Sequence, residues 1–332
     1  MITRPMPESS QAVRVGKVTA VAHPDRRALQ RFAERLGELH YLVRETPSFS
    51  ICLKPSGKGG AIVMHTFGEA TVDGDLASLV AGELGAAGLL TTAREYGDAL
   101  FAIVASTSPP SLRCSACGRL HLDNPSIWRG YCLNTLGRLR PLLSGGSSSP
   151  GSGTSDISRF AAVYRRVAGC SVGRSLLDVG TNLGLLPVLL AELAPGTTVV
   201  GCDNRPDAVA VASDLAGVVG GGRPAFILRD VLAPDFSGVG RFDTVVMVHL
   251  LEHLSEPEVP VALENALRVT AGRLVVAVPY EERAQALFGH RQVFTPEKLR
   301  SWGEWCVERL GGGRFKTETV AGGLLVVDCP QR

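Results

Sequence analysis

The sequence predicts an α/β fold: a doubly wound, mostly parallel seven-stranded sheet that ends in an antiparallel hairpin, preceded by a smaller α+β domain. Three observations predict it. Beyond residue 156, short apolar runs alternate with stretches of helical spacing, the order that builds a parallel sheet covered by helices. Those runs are apolar at successive positions, so both of their faces must be buried. Between them and the first half lies Ser-Gly-Gly-Ser-Ser-Ser-Pro-Gly-Ser-Gly-Thr-Ser, with no side chain whose burial would offset the entropy of ordering it. The chain is therefore divided into residues 1–143, a linker at 144–155, and residues 156–332.

Composition supports this division and excludes several classes. The 332 residues are 45% hydrophobic and 20% charged, enough for one large core or two ordinary ones, which excludes disorder as the dominant state. Basic and acidic side chains number 34 and 32, a net charge of +2. Residues 1–145 hold 16 basic and 12 acidic residues against 18 and 20 beyond, so neither half advertises a long nucleic-acid-binding surface. The opening MITRPMPESSQAVRV lacks the apolar core of a signal peptide, and no run of about 18 apolar residues follows. The expectation is a soluble, cytoplasmic protein without a membrane span. Eight cysteines are scattered along the chain and only Cys114 and Cys117 are close together, which favours reduced thiols, with room for one metal knuckle, over a disulfide scaffold.

In the first half, Val13–Val21 is rich in β-formers, and Pro24 to Leu39 places Leu29, Phe32, Leu36 and Leu39 on one helical side. The expected opening is strand, helix, strand. His40–Arg44, Phe49–Leu53 and Ala61–His65 follow as short strands, and Asp75–Ala102 as helix broken near Gly85 and Gly88. In the second half, helices are expected at Asp156–Val167 (with Ser155 or Asp156 as N-cap), Gly184–Leu193 and Asp207–Ala216. Strands are expected at Ser175–Val179, Thr198–Cys202, Ala225–Leu228, Thr244–Val248 and Leu274–Val278, and the hairpin at Phe315–Val320 and Leu324–Asp328.

The strand-to-helix turn Leu176-Leu-Asp-Val-Gly-Thr-Asn-Leu-Gly184 holds Asp178, Gly180 and Gly184. Gly180 lets the chain turn without a Cβ, and Gly184 lets the helix approach a ligand closely. Alone, such a turn serves a bound nucleotide or simply reverses the chain. The next strand ends in Asp203, 25 residues after Asp178, where a carboxylate accepts the protons of a ribose diol. With LDVGTNLG (177–184), VVGCDNRPDAV (199–209), ILRDVL (227–232), FDTVVMVHLLEHL (242–254) and LVVAVPYEE (274–282), the chain resembles the class I S-adenosylmethionine-dependent methyltransferases over residues 156–329. The resemblance implies S-adenosyl-L-methionine as cofactor. It places the backbone around Gly180 at the methionine part, Asp203 at the ribose and Asp230 with Val231 at the adenine amino group, and counts Asp178, Asn182, Gly184, Asn204 and Val248 among the cofactor-binding residues. Asn182 stands where many members have a second glycine. A nicotinamide dehydrogenase is the competing reading of the same fold; the Glu252-His253-Leu254 ending of the fourth strand and the terminal hairpin speak against it.

Methyl transfer is an in-line displacement that needs a positioned nucleophile and, for an alcohol, a base. Three of the seven histidines, His249, His253 and His290, fall in two loops at strand ends, and on a helix starting there His249, Glu252 and His253 would share one face. Three readings stand side by side: Glu252 and His253 cap a helix or line the cofactor; His249, His253 or His290 is the catalytic base; or Glu252, His253 and His290, with His249 near, hold one Mg or Mn ion that acidifies a hydroxyl. The last resembles the bacterial RNA 3′-end 2′-O-methyltransferases, with His249 standing where their first acid would be. Tyr280, Glu281, Glu282 and Arg291 lie on the loop that supplies substrate contacts in such sheets. This loop resembles those of actinobacterial small-molecule and glycan O-methyltransferases, implying a small-molecule or glycan substrate.

Three features of the first half remain. Cys114-Ser-Ala-Cys117-Gly has the turn of a zinc knuckle, which His121 and Cys132 would complete as a four-ligand structural site; a plain thiol pair is the alternative. Lys54 to Gly60 lacks the Ser or Thr of a phosphate loop and reads as a turn. Asp123–Tyr131, polar and aromatic, is expected as a loop over the substrate.

Overall fold

Glycine 16 sets the first topology. Its φ of +53° reverses the chain, so β1 (Gln11–Val15) and β2 (Val18–Ala22) form an antiparallel hairpin with Val15 paired to Val18. The opening is strand, strand, helix, and the expected single strand is two. The computed structural model describes residues 6–55, 60–144, 155–220 and 224–330. The Gly/Ser linker between Ser144 and Ser155 and most of the Lys54–Gly60 turn lie outside the described residues.

The residues form two compact units, Met1–Thr135 with Ala286–Gly289, and Leu136–Gln285 with His290–Arg332. In the first, α1 (Arg26–Glu38) is capped by Asp25, whose carboxylate accepts the Arg27 N–H at 2.8 Å. Its apolar side, Leu29, Phe32, Ala33 and Leu36, packs on Val21, Cys52, Ile62 and Met64. With β3 (Leu42–Glu45), β4 (Ser50–Leu53) and β5 (Ala61–His65) the sheet order is β1-β2-β5-β4-β3, in which only β2–β5 is parallel. The helical stretch after Asp75 runs as α2 (Leu76–Leu79) and a π-turn (Val80–Leu84). Helix α3 (Ala93–Ser106) then starts afresh after Gly88, with Thr92 as its cap. A 3-10 turn (Pro125–Trp128) leads into α4 (Arg129–Leu143), so the segment expected as a loop is helical, with Trp128 stacked on Phe101 at 5.6 Å. The division between units falls within α4 and not at the Gly/Ser run.

In the second unit, α5 (Asp156–Cys170) begins at Ser155, whose hydroxyl accepts the Ser158 N–H. It is followed by β6 (Ser175–Val179), α6 (Leu185–Leu193), β7 (Thr198–Asp203), α7 (Pro206–Val219), β8 (Ala225–Leu228) and β9 (Phe242–Val248). Then come α8 (Glu258–Val269), β10 (Thr270–Val278), α9 (Pro296–Leu310), β11 (Arg314–Thr319) and β12 (Gly323–Asp328). The seven-stranded order is β11-β12-β10-β9-β6-β7-β8, with only the pairings of β12 antiparallel. Alternation along each strand divides the core: Val245, Met247, Leu274 and Val276 face α8 and α9, while Val246, Val275 and Ala277 face α5 and α6. Both faces are covered, as the apolar runs require. Among the described residues no helix is long and apolar enough to cross a membrane.

Candidate active site

The turn between β6 and α6 is set by three left-handed residues, Gly180 (φ +78°), Asn182 (φ +48°) and Gly184 (φ +77°). The Gly180 and Thr181 N–H groups donate to the Cys202 carbonyl at 2.8 and 2.9 Å, which fastens the loop to the end of β7. Asp203 continues that connection: Oδ2 accepts the Asn182 N–H at 2.9 Å and Oδ1 the Arg205 N–H at 3.0 Å. A carboxylate has about four acceptor sites, so Asp203 keeps capacity for a diol. Asn204 beside it is exposed. Asp178, behind the loop, is buried; desolvation pushes its carboxyl up to about 7, and the charge of Asp203 acts in the same direction. Gly184 corrects the expectation made for it: a Cβ there would meet Ala212 Cβ at 2.7 Å and Phe226 Cζ at 2.8 Å, so its close approach is to the protein's own core. At the end of β8, Asp230 Oδ1 accepts the Leu232 N–H at 2.9 Å, and Val231 is buried.

His249, Glu252 and His253 do not share a helical face. His249 is left-handed (φ +53°) with its N–H donating to the Ala277 carbonyl, and Leu251–His253 is a 3-10 turn. Two residues of a distant loop pin that turn: the Arg291 N–H donates to the Glu252 carbonyl at 2.7 Å, and Gln292 Nε2 donates to the carbonyls of Leu251 and Leu254 at 3.1 and 2.7 Å. The pinning brings His290 to His253, ring centroids 4.9 Å apart and nearly perpendicular.

Two histidines are oriented by carboxylates. His249 Nδ1 lies 3.1 Å from Glu252 Oε1, and His290 Nδ1 lies 2.9 Å from Glu281 Oε2. An ionised carboxylate only accepts, so opposite such a partner each ring makes this hydrogen bond as its Nδ1–H tautomer. Glu252 is wholly buried and its Oε2 has no hydrogen-bond partner. The ligand atoms of Glu252, His253 and His290 all lie within 4.8 Å of one another. Phe160 of α5 stands edge-on to His249 at 5.4 Å, and Leu250 lies against Gly180. Sequence reasoning missed Phe160, Leu250 and Gln292, which carry no chemical signal of their own.

Residues 176–272 match the family described as methyltransferase domain. Over that stretch the second unit carries a methyltransferase domain. The matched stretch of this methyltransferase domain holds the glycine loop, Asp203, Asp230 and the Glu252-His253 pair; His290 lies beyond it. A demethylmenaquinone methyltransferase of Thermus thermophilus is 37% identical over 105 residues, 31% of this chain and 46% of that protein. The chain thus spans less than half the length of this relative. Among solved structures, magnesium protoporphyrin IX methyltransferase (ChlM) of Synechocystis PCC 6803 with bound SAM is similar at 20% identity, covering 64% of this chain and all of that one, with a TM-score of 0.41. The methyltransferase domain of bacterial CtHen1 is similar at 16% identity over 52% of this chain and 96% of its own, with a TM-score of 0.44.

The methyltransferase domain places the other expected site residues as follows. Val248, at the end of β9, is half-buried. Glu281 is engaged by His290, and Arg291 directs its guanidinium to Glu258 Oε2 at 2.9 Å. Tyr280 packs beneath Gly323, its hydroxyl raised above the ordinary value by burial; Glu282 is exposed. In the first unit, Cys114, Cys117 and His121 come together, with ligand atoms within 4.8 Å of one another. Cys132 does not join them: it is wholly buried on α4. The expected four-ligand set is therefore corrected to three. Backbone N–H groups of Cys117 and Ala116 and the His121 ring hold the Cys114 thiol down at about 7.

Proposed function

We propose that the chain is an S-adenosylmethionine-dependent methyltransferase acting on a hydroxyl of a small hydroxylated metabolite or glycan. The observation that carries this reading is the pair of carboxylate-oriented imidazoles, His249 on Glu252 and His290 on Glu281, at the carboxyl ends of β9 and β10. Bound S-adenosylmethionine supplies an electrophilic methyl group on a sulfonium. Asp203 would accept the ribose hydroxyls, the backbone around Gly180 would face the methionine part, and Asp230 with Val231 would meet the adenine. An acceptor oxygen would attack the methyl carbon as the sulfur–carbon bond breaks onto sulfur, and His290 or His249 would take the hydroxyl proton. The carboxylate behind each ring holds the tautomer and stabilises the imidazolium that results.

A second reading rests on the unpartnered, buried Glu252 Oε2. A divalent cation held by Glu252, His253 and His290 would satisfy that oxygen, and Glu281 would orient His290 from behind. Two imidazoles and one carboxylate suit Mn²⁺ better than Mg²⁺, which prefers oxygen ligands. Such an ion lowers the pKa of a hydroxyl of a vicinal diol, the chemistry an RNA 3′-terminal ribose would need.

Calorimetric titration with S-adenosylmethionine and S-adenosylhomocysteine, with NADH as control and with or without Mn²⁺ or Mg²⁺, tests both. Binding of the first two but not NADH is expected, followed by methyl transfer to a polyol acceptor. NADH binding alone, or cofactor binding with no acceptor and no effect of His290→Ala on slow cofactor hydrolysis, overturns the catalytic reading. Transfer that persists in chelator removes the metal.

A further inference from the structure

We propose that Cys114, Cys117 and His121 bind one zinc ion through three protein ligands and leave its fourth coordination position open to an exchangeable ligand. The spacing Cys-x2-Cys-x3-His brings two soft thiolates and an imidazole to one point, and the ligand atoms converge within 4.8 Å. A tetrahedral site with Zn–S of about 2.3 Å and Zn–N of about 2.05 Å requires sulfur and nitrogen to be about 3.6 Å apart. Cys117 Sγ and His121 Nε2 are 3.6 Å apart. The backbone is already wound for this: the Gly118 N–H donates to the Cys114 carbonyl at 2.8 Å, the Cys114 N–H donates to the Arg119 carbonyl at 2.9 Å, and Gly118 takes φ +67°.

The second observation concerns what else could hold the segment. From Pro109 to Ser126 no residue is buried, yet a bridge joins Arg113 to Leu120 and the chain keeps a defined turn. A stretch of that length without a core needs a staple, and a bound metal supplies one because its binding free energy becomes folding free energy. Among the described residues the cluster has no fourth His, Cys, Asp or Glu. Closed structural zinc sites have four protein ligands, whereas three leave an open position for water or another donor. Softness of the donor set selects zinc over the hard divalent ions that suit oxygen ligands.

The full chain, purified anaerobically and dialysed against trace zinc, should retain one thiolate-bound metal. Replacement by Co²⁺ should give an intense thiolate-to-cobalt charge-transfer absorption, and added azide or imidazole should shift the weaker d–d bands as it enters the open position. Cys117→Ser and His121→Ala should each lower zinc affinity at least tenfold, while Cys132→Ser and His253→Ala retain the ion. Wild-type protein that takes up cobalt without a charge-transfer band, or that carries a Cys114–Cys117 disulfide in place of metal, overturns the site. Loss of the ion in Cys132→Ser restores a four-ligand set, and loss in His253→Ala moves the ion elsewhere; either overturns the proposal. Bands unmoved by azide and imidazole overturn the open position. The wild-type cobalt spectrum decides the matter even where a variant fails to fold.

Discussion

The Asp203 carboxylate uses one acceptor site on each oxygen to hold the Asn182 and Arg205 N–H groups. Asp203→Ala removes the loop anchor and, on the proposed reading, the ribose acceptor. Affinity for S-adenosylhomocysteine should fall by about 1.5–3 kcal/mol, the worth of a hydrogen bond to a charged group. Calorimetry checks this, and equal affinity in the variant ends the ribose assignment. The place of Asp203 at the end of β7 was legible in the sequence because strand periodicity and a glycine turn fix where a strand ends. Glu281 was legible only as a polar loop residue. Its pairing with His290, nine residues away, depends on how the loop folds back.

At the level of elements, the turn after β9 is where sequence reasoning went furthest astray. A helix was expected from His249, yet the capping pattern Ser255-Glu-Pro-Glu258 marks a later start. The Ser255 N–H and hydroxyl both donate to Glu258 Oε2 at 2.6 Å, one half of a capping box, and α8 begins only after Pro257. Before it the chain makes only the three-residue 3-10 turn Leu251–His253, and that geometry buries Glu252. Element packing also separates two glycines that look alike in sequence. A Cβ on Gly303 of α9 would sit 2.7 Å from Phe315 Cε2 and 2.9 Å from Leu325 Cδ1, whereas one on Gly217 of α7 meets nothing within 4 Å. Gly303→Ala should therefore destabilise by about 1–3 kcal/mol through overpacking, and Gly217→Ala should stabilise by about 0.5–1 kcal/mol through helix propensity. Urea unfolding followed by fluorescence of Trp302 and Trp305 reads both; a Gly303→Ala protein as stable as wild type would mean that α9 and the hairpin shift apart freely.

For the molecule as a whole, pH enters through Asp178. Its carboxyl is raised from 3.8 to about 7 by burial, so the folded protein holds the proton more tightly than the unfolded chain. The associated stability is fully present below pH 3.8 and is lost progressively as pH rises to about 7. Asp178→Asn should abolish that slope, leaving the variant more stable than wild type by on the order of 3 kcal/mol near neutrality and equal to it in acid. Parallel unfolding midpoints at pH 4 and pH 8 would refute it. The sequence by itself determined the seven-stranded sheet, its terminal hairpin, the glycine loop and the acids at strand ends, because apolar periodicity and turn chemistry act over a few residues. Tertiary structure decided the rest. Only folding shows that the first strands form a hairpin about Gly16, that Gly184 faces Ala212 and Phe226, and that Cys132 is buried away from Cys114. The same holds for the carboxylates behind His249 and His290: each pair is near in sequence, but the backbone between is held by distant anchors such as Gln292 on the turn at Leu251–Leu254, which no local pattern encodes.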